Sequence, residues 1–289
     1  MEISRRTQVF CLIGDPVEHS LSPTMHNAAF KHLNLNAVYV AFKVKREELE
    51  NAIRGIRGLG IRGINVTMPH KSAIINYLDE VDQTVKLVGA VNTLLNDNGK
   101  LIGFNTDGIG ALRALKENQT DPEGKRILLL GAGGAARAIA FQLAQVAGEL
   151  RILNRNGEKA RQLANLLRKE LSRNIVGDQL SPMLIEKWLK DTDILVNCTS
   201  VGMHPNADQT LVKRKWLRDE LTVMDIVYDP IETRLIRDSK DAGAKVIHGT
   251  EMLLFQGAAS FEIWWGRPAP IEVMRNAILK KIREREKSL

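Results

Sequence analysis

At 289 residues, 44% hydrophobic and 26% charged, the chain has room for two domains and the composition of an ordinary water-soluble globular protein. No apolar run reaches the length of a membrane span and the stretch from Met1 to Phe10 lacks a signal peptide's apolar core, so no membrane association and a cytoplasmic location are expected. The net charge of +7 is scattered along helices and aromatics make up only 5%, which argues against a nucleic-acid partner and for small anionic ligands.

Taken in order, Gln8–Gly14 reads as a first strand, followed by the loop Gly14–Pro23. Ser22-Pro23 has the form of a helix start, serine as N-cap and proline at the first helical position, with Met25, Ala28, Ala29 and Leu33 on one face. Ala37–Val44 is a second strand, and Arg46–Ile56 an amphipathic helix turning Leu49, Ile53 and Ile56 inward. Ile61–Val66 is a third strand, leading through Thr67-Met68-Pro69-His70-Lys71 into a helix to Leu78. A short helix at Thr84–Val88 precedes a strand at Ala90–Leu95. The polar turn Asn96–Gly99 then returns the chain through Leu101–Phe104 as a hairpin. A helix within Asn105–Asn118 leaves this first, mixed-sheet domain, and Gln119–Gly124 has the composition of a linker.

From there strands and helices alternate. Strands are expected at Ile127–Leu130, Leu150–Leu153, Asn174–Val176, Ile194–Val196, Thr222–Ile226 and Lys245–Ile247, with helices between them such as Glu158–Leu171 and Glu232–Ala242. That pattern is a doubly wound parallel sheet with its ligand at the carboxyl ends of the strands. Thr250–Trp265 and Pro270–Arg285 are two closing helices, expected to return to the first domain and leave a cleft between two lobes. The fold class is thus α/β, with a mixed-sheet N-terminal domain (1–112, completed by 250–289) and a Rossmann-type domain (113–249). Trp264 and Trp265 read as core, with a dimer face as the alternative, so a monomer or a homodimer is expected.

The clearest chemical signal is the apolar strand Ile127–Leu130 running into Gly131-Ala132-Gly133-Gly134-Ala135-Ala136 and a helix. Gly131, Gly133 and Ala136 have the G-x-G-x-x-A spacing, which gives a tight turn, an open approach to the backbone for a pyrophosphate, and close helix–strand packing. The free N–H groups and dipole of the helix start favour the phosphates. No carboxylate stands at the tip of the next strand, where NAD-binding folds place one; Arg155 does, with Lys159 one helical turn on. A cation suits a 2′-phosphate, so NADP is favoured, while Glu158 keeps NAD open. Cys11 and Cys198, the only cysteines, form neither a disulfide framework nor a zinc site, and no metal-ligand cluster is evident.

Four polar clusters fall at strand exits or helix entries of the first domain: His19–Pro23, Asn65–Lys71, Gly89–Leu94 and Gly103–Gly108. Together with the glycine turn, Asn197-Cys198-Thr199 through Gly202-Met203, Tyr228 and Gln256-Gly257-Ala258, they resemble, in order and over essentially the whole chain, the shikimate/quinate dehydrogenase family. That resemblance implies reversible reduction of 3-dehydroshikimate to shikimate with NADPH, in aromatic amino-acid biosynthesis. It implies that Lys71 and Asp107 are the catalytic pair, and that Ser20, Ser22, Thr67, Asn92, Tyr228 and Gln256 bind substrate. It places the cofactor on Gly131, Ala132, Gly133, Gly134, Ala135, Asn154, Arg155, Lys159, Thr199, Gly249 and Met252. Asn156 and Lys159 stand where the family often has threonine and a second arginine, and Glu251 replaces a common glycine. The chemistry agrees independently: hydride delivered to a ketone leaves an alkoxide, which needs a proton donor within reach. The rivals are quinate as substrate with NAD or either cofactor, and a dinucleotide-binding regulator without turnover; a regulator has no use for a proton donor.

Overall fold

Gln8–Gly14 is β1, a strand buried on both faces, as its nearly unbroken apolar run requires. In the computed structural model, which describes residues 3–286, β1 lies in one of two compact units: residues up to Thr106 together with those from Leu254 on, and Asp107–Leu253.

In the first unit α1 (Ser22–His32) and β2 (Ala37–Lys43) follow β1, then a 3-10 turn at Arg46–Glu48 that opens α2 (Leu49–Gly58). Next come β3 (Gly63–Val66), α3 (Gln83–Val88) and the hairpin β5 (Thr93–Asp97) and β6 (Lys100–Phe104); the two-residue β4 (Glu80–Val81), on the sheet edge, has no sequence signal. The sheet order is β2-β1-β3-β5-β6-β4, with β1 parallel to β2 and β3, and β5 antiparallel to β3 and β6. Asn98 and Gly99 both have positive φ (53° and 93°), the geometry that lets a two-residue turn join twisted strands.

Alternate residues of β1 serve two cores. Cys11 and Ile13 pack with Leu49, Ile53 and Ile56 of α2, whereas Phe10 meets Phe30 and the two closing tryptophans. Leu49, Ile53 and Ile56 are buried as their spacing predicts.

Three local expectations are corrected. The N-cap of α1 is Leu21, and Ser22 is the first helical residue. No side chain caps the helix; the Ser20 hydroxyl oxygen accepts from the N–H of Ser22 at 3.2 Å. The buried face of α1 is Met25, His26, Ala29 and Phe30; Ala28 and Leu33 are only half-buried. The segment after Lys71 winds as a short 3-10 turn, Ala73–Tyr77, with Ile74 buried and Ile75 and Tyr77 packed at the edge of the core.

In the second unit the elements are α4 (Asp107–Glu117), β7 (Arg126–Leu130), α5 (Gly134–Ala144), β8 (Glu149–Asn154), α6 (Gly157–Leu171) and β9 (Ile175–Gln179). Then come α7 (Pro182–Leu189), β10 (Ile194–Asn197), β11 (Thr222–Asp225), α8 (Arg234–Asp241) and β12 (Lys245–Ile247). The strands are all parallel in the order β12-β11-β10-β7-β8-β9, so the direction of winding reverses between β7 and β10. Ligands of such sheets bind outside the strand ends at that reversal. β9 runs three residues past its expected end (Val176 to Gln179), since Arg151–Asn154 of β8 gives it a full partner. α4 packs on α5 with Gly108 at the contact, where a Cβ would lie 2.5 Å from the Ala138 carbonyl oxygen.

The closing helices are α9 (Gly249–Trp265) and α10 (Ile271–Glu286). From Leu254 on they belong to the first unit, where α10 packs on α1 and Trp264 is buried against Phe10 with its indole N–H on the Leu94 carbonyl at 2.9 Å. Trp264 is therefore core. Among the described residues no helix is long and apolar enough to cross a membrane.

Candidate active site

The first unit gathers six of the predicted site residues. Ser20 and Ser22 open α1, Thr67 and Lys71 follow β3, Asn92 precedes β5, and Gln256 lies in α9. Their backbones are tied together. Thr67 N–H donates to Ile13 at the end of β1 (3.0 Å), and the Lys71 carbonyl accepts from Val91, next to Asn92, at 2.7 Å. Asn92 is 2% exposed; its amide donates to the Thr106 hydroxyl at 2.9 Å and to the Gln256 side-chain oxygen at 3.3 Å. Its own oxygen accepts from Thr106 N–H (2.8 Å) and the Thr93 hydroxyl (2.9 Å). Buried amides satisfied this way hold one orientation. The result is a fixed set of hydroxyl and amide groups on the segment that the backbone of half-buried Lys71 braces.

Behind it stands a second layer in which Tyr39 and Ser260, two residues that the sequence did not single out, meet Asn65. The Tyr39 hydroxyl donates to Asn65 Oδ1 at 2.8 Å, and Asn65 Nδ2 donates to Ser260 Oγ at 2.9 Å. Burial holds the Tyr39 phenol far above its ordinary range, and the Ser22 hydroxyl hydrogen-bonds to it. Tyr39 thus stays neutral and orients Ser22. The only signals that could have found it went unread: Ser260 is four residues beyond Gln256 on one helix face, and a strand tyrosine buried whole must find a partner for its hydroxyl.

The second unit holds the rest. Gly131 leaves β7 with φ +118° and its N–H on the Leu153 carbonyl at 2.7 Å; a Cβ there would come 3.0 Å from the Cys198 carbonyl oxygen, beyond the end of β10. This turn sits at the winding reversal. Gly133, the N-cap of α5, differs. Its φ of −78° suits any residue and a Cβ there meets nothing within 4 Å, so neither backbone nor packing calls for glycine. What glycine leaves is open space in front of N–H groups that no side chain caps. That is the shape a pyrophosphate needs, and Ala132, Gly134 and Ala135 keep side chains small around it.

Asn154 ends β8, its amide donating to Asn156 O at 2.9 Å. Asn156 caps α6 by accepting from Lys159 N–H at 3.2 Å, a task threonine also performs, which accounts for the departure from the family pattern. Arg155 and Lys159 are exposed beside that cap. Thr199 is fastened by Asn197 Oδ1, which accepts from its N–H (3.1 Å) and its hydroxyl (2.7 Å). Gly249 and buried Met252 open α9, and half-buried Tyr228 follows β11. Asp107 is the first residue of α4, 3% exposed, and close enough to Cys198 for its charge to raise that thiol. Burial and the carboxylates of Asp225 and Asp107 keep Cys198 protonated, so it is no nucleophile.

Comparison with known proteins gives a consistent result. Residues 12–94 match the family described as the shikimate dehydrogenase substrate binding domain, 113–232 that of shikimate/quinate 5-dehydrogenase, and 249–279 the shikimate 5'-dehydrogenase C-terminal domain. A shikimate dehydrogenase (NADP+) of Methanopyrus kandleri is 49% identical over 98% of this chain and 99% of its own length. A crystal structure of a shikimate dehydrogenase in complex with NADP+ superposes with a TM-score of 0.91 at 48% identity, covering 97% of this chain and 98% of that one. The enzyme from Listeria monocytogenes, solved with shikimate and NAD, gives 0.88 at 39% identity, covering 96% and 98%.

Proposed function

The chain belongs to the shikimate dehydrogenase family, and from that premise we propose that it catalyses the reversible NADPH-dependent reduction of 3-dehydroshikimate to shikimate, a step of aromatic amino-acid biosynthesis. The first unit is the substrate domain and the second the cofactor domain. The bound nicotinamide supplies hydride to the ketone carbon. Lys71 stabilises the negative charge that develops on the ketone oxygen and donates the proton that completes the alcohol. Asp107 is the carboxylate of the catalytic pair that the family resemblance implies. Thr67, Asn92 and Gln256 hold the ring hydroxyls, Ser20 and Ser22 the carboxylate, and Tyr228 is a further substrate-binding residue. Gly131 to Ala135 cradle the pyrophosphate, Thr199, Gly249 and Met252 line the remainder of the cofactor, and Asn154, Arg155 and Lys159 take the adenosine end.

The observation that carries this reading is the Lys71 backbone, bonded through its carbonyl to Val91 N–H next to the fixed Asn92–Gln256 pair, in a chain that also holds the glycine cradle. A binding protein without turnover needs the cradle but not the proton donor. Steady-state rates with shikimate and quinate, each with NADP+ and NAD+, test it. The highest kcat/KM is expected for shikimate with NADP+, and Arg155→Ala narrows the preference over NAD+ by roughly tenfold or more, the loss of a charge-assisted phosphate contact. A higher kcat/KM with quinate overturns the substrate assignment. Equal losses with both cofactors would place the 2′-phosphate on other residues.

A further inference from the structure

Asp225 closes β11 with 0% exposure, and the reaction chemistry above gives it no part. Its Oδ1 accepts from the Asn197 side-chain amide at 2.9 Å and from Val227 N–H at 3.1 Å; its Oδ2 accepts from the Thr233 hydroxyl at 2.7 Å. Each donor sits on a different segment: the end of β10, the loop after β11, and the cap of α8. Beyond the first two lie proposed ligand-binding positions. Asn197 fastens Thr199. Val227 precedes Tyr228, and its carbonyl abuts Gly249 so closely that a Cβ there would collide with it.

Burying a carboxylate is costly, and burial raises the pKa of this one to about 6. If the only task were to end β11, an apolar residue would do it without that cost. A carboxylate, however, accepts three donors at once. Asparagine has one acceptor oxygen and would turn an N–H toward Thr233, taking away the acceptor of its hydroxyl proton. We propose that Asp225 is a positioning residue, whose carboxylate locks the Thr199 loop, the Tyr228 loop and the start of α9 in one arrangement and so preorganises both the cofactor and the substrate contacts. The inference deepens the functional assignment and rests on it.

Asp225→Asn is the test, read by calorimetric titration of NADP+ and by steady-state kinetics. The expected result is a rise of roughly tenfold in both the NADP+ Kd and the shikimate KM, with kcat within about threefold. Leu195→Ala, a buried cavity variant in β10, is the control for general loosening; at a comparable loss of Tm it leaves both constants unchanged. Unchanged constants in Asp225→Asn, or an equal rise in the control, overturn the proposal. Should Asp225→Asn not fold, Thr233 decides: Thr233→Val must raise the constants and Thr233→Ser restore them, and identical behaviour of the two overturns it. Failure of the functional assignment would show instead in the wild type, as no turnover of shikimate, and NADP+ titration of the variants still decides the role of Asp225.

Discussion

Removing the ammonium at position 71 takes away the proposed proton donor while the contacts of Asn92 with Thr106 and Gln256 stay in place. Lys71→Ala is therefore expected to lower kcat by about two to four orders of magnitude and leave KM for shikimate within a few-fold. Rates measured across a shikimate titration check this; an unchanged kcat removes Lys71 from the mechanism. The proposed role of Lys71 came from the family resemblance that the four polar clusters carry, since a lysine alone reads as a solvated surface residue. Tyr39 and Ser260 were not singled out, since their importance lies in hydrogen bonds to Asn65 made by residues 26 and 195 positions away.

At the scale of the strand–turn–helix, two glycines of one motif carry separable duties. Gly131 has a backbone that side chains rarely adopt and a neighbour 3.0 Å from any Cβ, so Gly131→Ala strains the fold itself, at a cost of about 1–3 kcal/mol. Gly133 has neither constraint. Gly133→Val is expected to leave Tm nearly unchanged and to weaken NADP+ at least tenfold, because its side chain fills the space for the pyrophosphate. Thermal melts with and without NADP+ separate the two; a large loss of Tm in the apo Gly133→Val protein would show that the residue serves packing. The spacing of the motif was readable in the sequence, but which glycine serves the fold and which the ligand was not. The start of α1 makes the same point. Ser-Pro reads as a cap, yet no side chain caps the helix and the Ser22 hydroxyl bonds to Tyr39 instead.

Across the whole molecule, acid stability is governed by buried groups that titrate differently when unfolded. His26 is fully buried, stacked on Tyr39 with ring centroids 4.6 Å apart, and neither ring nitrogen has a hydrogen-bond partner. Burial lowers its pKa to about 3. The unfolded chain then binds the extra proton from about pH 6.5 downward while the folded one resists it, so this contribution is complete above pH 6.5 and is lost as pH falls toward 3. At ~1.4 kcal/mol per pH unit, about 3 kcal/mol is gone by pH 4. Asp225 acts in the opposite sense. Its raised pKa favours the folded state at low pH, over the narrower window between about 3.8 and 6. His26→Phe should therefore melt at a temperature that falls less than the wild type's between pH 7 and pH 4. Parallel curves for the two proteins would show that the imidazole is not buried in neutral form.

What the sequence determined by itself was local and periodic. The apolar runs of β1 and β7, the 3.6-residue spacing of Leu49, Ile53 and Ile56, the Asn-Gly turn and the glycine fingerprint each act over a few residues, so composition and spacing suffice to read them. The one-way alternation of strands and helices after the linker likewise announced a parallel sheet, because parallel neighbours need crossovers. The tertiary structure alone decided the rest: the β12-β11-β10-β7-β8-β9 order that brings Gly131 against Cys198, the fixing of Asn92 by Thr106 and Gln256, and the burial of Asp225 among three donors. Those contacts join residues far apart in the chain. Their energies come from desolvation and directional hydrogen bonds, which exist only once the backbone has closed around them.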